Sequence, residues 1–148
     1  MIRKVSIKFY AAITVLLLSA CAGTPKVSTW SSPNTFTLDQ VYNAALVAGT
    51  DNGFTVYNQD RASGLISLKK EEYGGDKMVD RRMSVKIKPS GGNVIVSTKV
   101  SGSDFGIIEG ALGGAVHKEL TNNFYVYLFR ELGITDPKLQ NVIIEDAH

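Results

Sequence analysis

The sequence is short of the residues that carry most protein chemistry. Of its 148 residues one is cysteine, two are histidine and one is tryptophan. A lone cysteine, Cys21, excludes an intrachain disulfide and a cysteine-built metal cluster. The two histidines, His117 and His148, stand in no H-E-x-x-H pattern, so no histidine-built zinc motif is present. No G-x-S-x-G elbow marks an acyl-transfer nucleophile. No Gly-Lys-Ser/Thr run marks a phosphate-binding loop. Long hydrophobic runs are also missing. The N-terminal apolar stretch is about ten residues, whereas a membrane-spanning helix needs roughly 20. A transmembrane anchor is therefore the weaker reading.

What is present begins at the N-terminus. Arg3, Lys4 and Lys8 form a positive region, and Ala11 to Leu18 is an apolar core broken only by Thr14. Leu18-Ser19-Ala20-Cys21 closes the segment, which has the three parts of a secretory signal. Small residues before a cut are ordinary, but a cysteine directly after them is not. The tetrapeptide resembles the lipobox of bacterial lipoproteins at every position. The resemblance implies cleavage between Ala20 and Cys21, a diacylglyceryl group on the Cys21 thiol, and acylation of the new amine. Two or three acyl chains hold a protein on a bilayer stably, where one does not. The implied partners are the bilayer and the lipoprotein processing and transport machinery. Residue 22 is Ala rather than Asp, which in a diderm host favours the periplasmic face of the outer membrane over the inner membrane.

Removing residues 1–20 takes away three of the 16 basic residues and none of the 14 acidic ones, leaving a mature chain near −1. No charge excess then argues for nucleic acid. Residues 22–35, rich in Ser, Thr and Pro, read as a flexible tether after the lipidated Cys21, with a reach of about 20 Å. Trp30 stands out within it. Two readings stay open for its indole: the membrane interface, where indoles concentrate, or a dock on the domain. Residues 36–134 read as one domain and 135–148 as a tail.

Within the domain, Thr37 and Gln40 have capping-box spacing, with Phe36 and Val41 placed for a hydrophobic staple. Leu38, Val41, Tyr42, Ala45, Leu46 and Gly49 follow helical spacing to a stop near Asn52-Gly53. Four strands are expected next. Phe54 and Val56 mark the first, and Ile66 and Leu68 the second. Residues 71–80 read as a polar loop. Met83, Val85 and Ile87 mark the third strand, and Val94, Val96, Thr98 and Val100 the fourth. Val116, Leu120, Phe124, Tyr127 or Leu128, and Leu132 then repeat as a second helix, stopped by Gly133. Val142-Ile143-Ile144 in the tail fits either an edge strand or a loose end. The expected class is α+β: a two-layer sandwich of a four-stranded antiparallel sheet with two helices on one face, in the order α-β-β-β-β-α.

The phrase N-G-F-T-V-Y-N-Q-D-R-A-S-G-L-I-S-L, following the first helix, resembles the helix-grip domains of BamC, a lipoprotein of the outer-membrane β-barrel assembly machine, and of related envelope lipoproteins. Gly53, Phe54, Asp60, Arg61, Gly64, Leu65 and Ile66 carry the match. The resemblance implies a helix-grip-like fold and an envelope scaffold or binding role, with no catalytic residues and no cofactor.

The remaining chemistry is sparse. Glu71, Glu72, Asp76 and Asp80 are acidic, but Lys69, Lys70, Lys77, Arg81 and Arg82 interleave with them. Mutual compensation is favoured over a metal, and the spacing is not that of an EF-hand. His117 reads as a solvent-facing helix residue. The segment from Phe105 to Gly114 puts Gly106, Gly110 and Gly114 four apart, a spacing that lets helices approach closely. Because interior glycines cost a helix up to ~1 kcal/mol each, a loop leading into the second helix, or a helix start packed closely on the sheet, is favoured. An exposed flap that docks a partner or lipid is the other reading. The function expected is a noncatalytic binding or assembly module of the cell envelope, its candidate surfaces being the groove between the sheet and the second helix, the glycine-rich segment with Phe105, Gly106, Gly110 and Gly114, Trp30, and the polar strand face with Lys86, Lys88 and Lys99. Envelope assembly proteins are its expected partners. The alternative is a small-ligand carrier or enzyme with a helix-grip cavity, which needs a sizeable apolar pocket with convergent polar groups.

Overall fold

The computed structural model describes residues 26–74, 77–103 and 106–146, so Ala20, Cys21 and Phe105 lie outside the described residues. Five residues after Cys21 the chain is already a strand, β1 (Lys26–Ser31). Helix α1 (Leu38–Asp51) follows. Four strands come next: β2 (Thr55–Asp60), β3 (Leu65–Gly74), β4 (Lys77–Ser90) and β5 (Asn93–Ser103). Helix α2 (Gly106–Glu131), a 3-10 turn (Pro137–Leu139) and β6 (Val142–Asp146) follow. All the strands pair antiparallel in one six-stranded sheet, ordered β2-β3-β4-β5-β1-β6.

This corrects the four-stranded sheet expected from the sequence. The α+β class holds, but the segment read as a tether supplies β1, and the tail supplies β6. In β1 the buried residues are Ser28 and Trp30. A strand whose core face holds one small polar residue and one indole has no hydrophobic alternation to read. Residues 71–74 and 77–80 are likewise strand rather than loop. Tyr73 is registered on Met78 and Glu71 on Asp80, so β3 and β4 form a long hairpin. Its alternation is written in charge. Lys69 bridges Glu71 at 2.7 Å, Lys70 bridges Glu72 at 2.6 Å, and Arg82 bridges Asp80 at 3.1 Å.

Local chemistry fixes α1, and the C-terminal ends of both helices, where the sequence put them. The Thr37 hydroxyl accepts the Gln40 N–H at 3.2 Å, and Gln40 Oε1 accepts the Thr37 N–H at 2.9 Å, a reciprocal capping box. Both helices end in a Schellman motif. The Gly53 N–H donates to the Thr50 carbonyl and the Phe54 N–H to the Gly49 carbonyl. The Gly133 N–H donates to the Arg130 carbonyl and the Ile134 N–H to the Phe129 carbonyl. Gly53 and Gly133 have positive φ, and the residue after each, Phe54 and Ile134, is buried.

Both helices cover one face of the sheet. Val41, Tyr42, Ala45 and Ala48 of α1 and Leu120, Phe124, Leu128 and Phe129 of α2 are buried with Ile66, Leu68, Met83, Val85, Ile87, Val94, Val96 and Val100 of the strands. α1 lies so close to β3 that a Cβ on Gly49 would meet Leu68 Cδ1 at 2.6 Å.

Gly64 closes the β2–β3 turn at φ +68, where a Cβ would stand 1.9 Å from the Ile87 carbonyl oxygen. That oxygen belongs to backbone and cannot swing away. Gly64→Ala is expected to cost about 2–3 kcal/mol in urea denaturation. Gly91→Ala, with φ +58 and no atom within 4 Å, meets only the left-handed penalty, about 1 kcal/mol.

Candidate functional site: the two ends and the open face of the sheet

Trp30 is where the structure decides most. Its side chain is 1% exposed. The indole Nε1 donates to the Leu139 carbonyl at 2.7 Å, and the ring meets Phe129 edge-on at 5.2 Å. Of the two readings left open, the dock on the domain is the observed one. Trp30 is a core residue, not a partner-binding one.

Beside it, the Tyr125 hydroxyl sits between the Ser28 carbonyl at 2.9 Å and the Val96 carbonyl at 3.1 Å. This phenol ties α2 to β1 and β5. Burial pushes its pKa above the ordinary tyrosine value of about 10, against a smaller lowering by the neighbouring Thr98 hydroxyl. The fold therefore holds the neutral form. Above about pH 10 the unfolded chain ionises this tyrosine while the folded chain does not, so stability is level below that pH and falls as pH rises past it. Tyr125→Phe is expected to flatten that alkaline fall in urea denaturations across the range. It also costs about 1 kcal/mol at neutral pH through the lost hydrogen bonding. Tyr42, whose phenol burial also raises, keeps part of the fall in place.

The glycine-rich segment is helical in the structure. α2 begins at Gly106, so Gly106, Gly110 and Gly114 lie within its first turns. Of the two favoured alternatives, loop or helix start, the helix start is the observed one. What surrounds these glycines lies outside the described residues. His117, expected to face solvent, is half-buried with Nε2 shielded from water.

The space between sheet and helices is occupied by large side chains, Trp30, Tyr42 and Phe124 among them. A half-open cavity lies elsewhere among the described residues. It holds about 290 Å³ at the Ser31 end of β1, lined by Thr29, Ser31, Ser32, Ile95, Lys138 and Ile143 among others. It is not the enclosed helix-grip cavity that a carrier or enzyme reading calls for.

The open face of the sheet is polar. Lys86, Lys88 and Lys99 are exposed there, above the compensated cluster of Lys69, Glu71, Asp80 and Arg82. Lys69 is the hub of that cluster. Its hydrogen bond to Glu71 and the nearby Asp80 carboxylate hold its ammonium above the ordinary lysine pKa. Glu71, Glu72 and Asp80 are thus engaged with bases, Asp76 lies outside the described residues, and among the described residues no cluster of metal-ligating side chains occurs.

The β3–β4 hairpin is the surface that sequence reasoning missed. It carries Tyr73, 80% exposed, opposite Met78, 57% exposed. Two large side chains in cross-strand register at a tip were hidden in a stretch dominated by charge and glycine. The residues carrying the BamC resemblance have folding roles. Gly53 and Phe54 form the α1 cap. Asp60 accepts the Ala62 and Ser63 N–H groups in the turn that Gly64 completes. Ile66 is core, and Arg61 lies over the Tyr42 ring and pairs with Asp39 at 2.7 Å.

No protein-family model matches the chain, and no curated protein matches it. Among solved structures, it is similar to a conserved protein from Geobacillus kaustophilus, with 10% identity over 74% of this chain and 95% of that one, at a TM-score of 0.47. It is similar also to TTHA0849 from Thermus thermophilus, with 15% identity over 76% of this chain and 100% of that one, at a TM-score of 0.44. CalU16 from Micromonospora echinospora aligns with 10% identity over 76% of this chain and 90% of that one, at a TM-score of 0.28. At scores this low the likeness says nothing about what this chain does.

Proposed function

We propose that the chain is a lipoprotein of the bacterial envelope, anchored through acylated Cys21 on the periplasmic face of the outer membrane, whose domain is a noncatalytic binding or assembly module. The observation that carries this reading is the sequence Leu18-Ser19-Ala20-Cys21 at the end of a secretory signal. Two features of the fold support it. The strand sheet starts five residues after Cys21, so the chain passes from the anchor almost directly into the domain. The open face presents Lys86, Lys88 and Lys99 together on β4 and β5, a polar surface suited to a protein partner.

Photocrosslinking residues placed singly at Lys86, Lys88 and Lys99 in native envelopes test the module. Discrete adducts to an envelope protein, shared by neighbouring positions and absent from a position on the buried face, are expected. Adducts to the lipoprotein transport machinery alone count against it.

A further inference from the structure

We infer that β6 pairs edge to edge with the β6 of a second copy of this chain, antiparallel about a two-fold axis through Ile143, so that two sheets join into one. The pairing goes beyond the envelope role and does not need the anchor on Cys21.

The two edges of the sheet differ. β2 closes one side and β6 the other. β2 is guarded. Its pairing with β3 shifts register at Tyr57, and its other exposed residues are Thr55, Asn58, Gln59 and Asp60. A bulge and polar side chains are common means of keeping an edge strand from pairing with another chain. The middle of β6 has neither. It runs in unbroken register with β1 from Val142 to Asp146 and contains no proline or lysine. It exposes Ile143 by 53% and Ile144 by 45%. Among the described residues β1 is its only strand partner, so its outer side offers backbone N–H and C=O groups beside two exposed isoleucines.

The order of side chains along β6 makes a second copy the fitting occupant. Ile143 is registered on Thr29 and lies with it on the open face. Val142 and Ile144, registered on buried Trp30 and Ser28, lie on the helix face. Residues of like face meet only in every second register. Centred on Ile143, the strand meets its copy with Ile143 on Ile143, Val142 on Ile144 and Asn141 on Glu145. Apolar side chains then lie on apolar ones, and the Glu145 carboxylate falls opposite a neutral amide. Centred on Ile144 instead, Glu145 falls on Ile143 and the match is lost. Charge favours the first register further. Asn141 and Ile143 line the half-open cavity together with Lys138. Glu145 of the partner subunit, opposite Asn141, therefore arrives at the rim that carries the Lys138 ammonium, and the two-fold axis makes this contact twice. A single strand pair is a small contact beside the roughly 1,200–2,000 Å² of a stable interface. The association is thus expected to be weak and to rise with the amount of protein.

A photocrosslinking residue at Ile143 of the full chain, in envelopes of cells expressing it, is compared with the same residue at Tyr57 on the β2 edge. The expected adduct has twice the mass of the chain and joins position 143 to a peptide covering residues 141–146 of the second copy. Its yield is expected to exceed that from Tyr57 about fivefold. Glu145→Lys is expected to lower the yield about threefold, because two attractive contacts become repulsive. Adding Lys138→Glu to that variant is expected to restore it, a repair that a folding defect would not show. The photoadduct uses no thiol, so it reads the same whether or not Cys21 carries lipid. Equal self-adducts from Ile143 and Tyr57 overturn the pairing. Adducts from Ile143 to other proteins alone overturn the second copy as the occupant. A charge reversal that Lys138→Glu does not repair overturns the register.

Discussion

Cys21→Ser is expected to abolish acylation and to strip the protein from outer-membrane fractions, a drop of roughly tenfold or more. Each buried methylene of an acyl chain contributes about 0.8 kcal/mol, so two or three chains hold the protein on the bilayer essentially without exchange. Serine offers an oxygen where the lipid transfer needs a sulfur nucleophile. With no diacylglyceryl group, the cut before residue 21 is not made, and the variant keeps residues 1–20. Fatty-acid labelling, density fractionation of envelopes and the mass of the variant check this together. The domain itself is untouched, because β1 begins at Lys26, so urea denaturation of the variant's domain is expected to match that of the parent. A variant that stays acylated or stays in the outer membrane removes the anchor from the account.

Trp30→Ala carries the largest expected effect on stability, about 3–5 kcal/mol. The indole is buried beside Phe129 and holds the Leu139 carbonyl. Its loss leaves a cavity among β1, α2 and the 3-10 turn, and that carbonyl loses its donor. Trp30→Phe restores part of the volume but not the hydrogen bond, and an intermediate cost of about 1–3 kcal/mol is expected. Because only two residues separate Leu139 from β6, the damage is expected to reach that edge strand. Hydrogen exchange of the Val142–Asp146 amides then rises more than that of β3 and β4. A neutral Trp30→Ala, by contrast, means that β1 is not part of the folded domain.

The same residue shows what was legible in the sequence. Helix α1, its capping box and its Gly53 stop were readable because each depends on a few adjacent residues. The alternations of Met83-Val85-Ile87 and Val94-Val96-Thr98-Val100 were readable because one face of each strand is apolar and buried. β1 was not readable. Its pairing with β5 and β6 spans most of the chain, and its core face is Ser28 and Trp30. Non-local pairing supplied what local pattern lacked. The hairpin at 71–80 was hidden for a different reason. Both of its strands project past the row at which β1 begins, so little of it needs to be apolar. Ion pairs along the strands stand in for hydrophobic alternation, and Gly74-Gly75 reads as a break.

Of the candidate surfaces, Lys86, Lys88 and Lys99 fall together on one open face, while Trp30 moves to the core. Of the loop and the helix start left open for the glycine-rich segment, the helix start at Gly106 is observed because the run continues into Leu120, Phe124 and Leu128, whose burial favours one uninterrupted helix over its glycine penalty.

The most direct measurement is the intact mass of the protein extracted from native envelopes. The account predicts a chain beginning at Cys21, without residues 1–20, and heavier than its amino acids by a diacylglyceryl group and a further acyl chain. A chain that keeps residues 1–20, or one cut there with an unmodified Cys21 thiol, contradicts it.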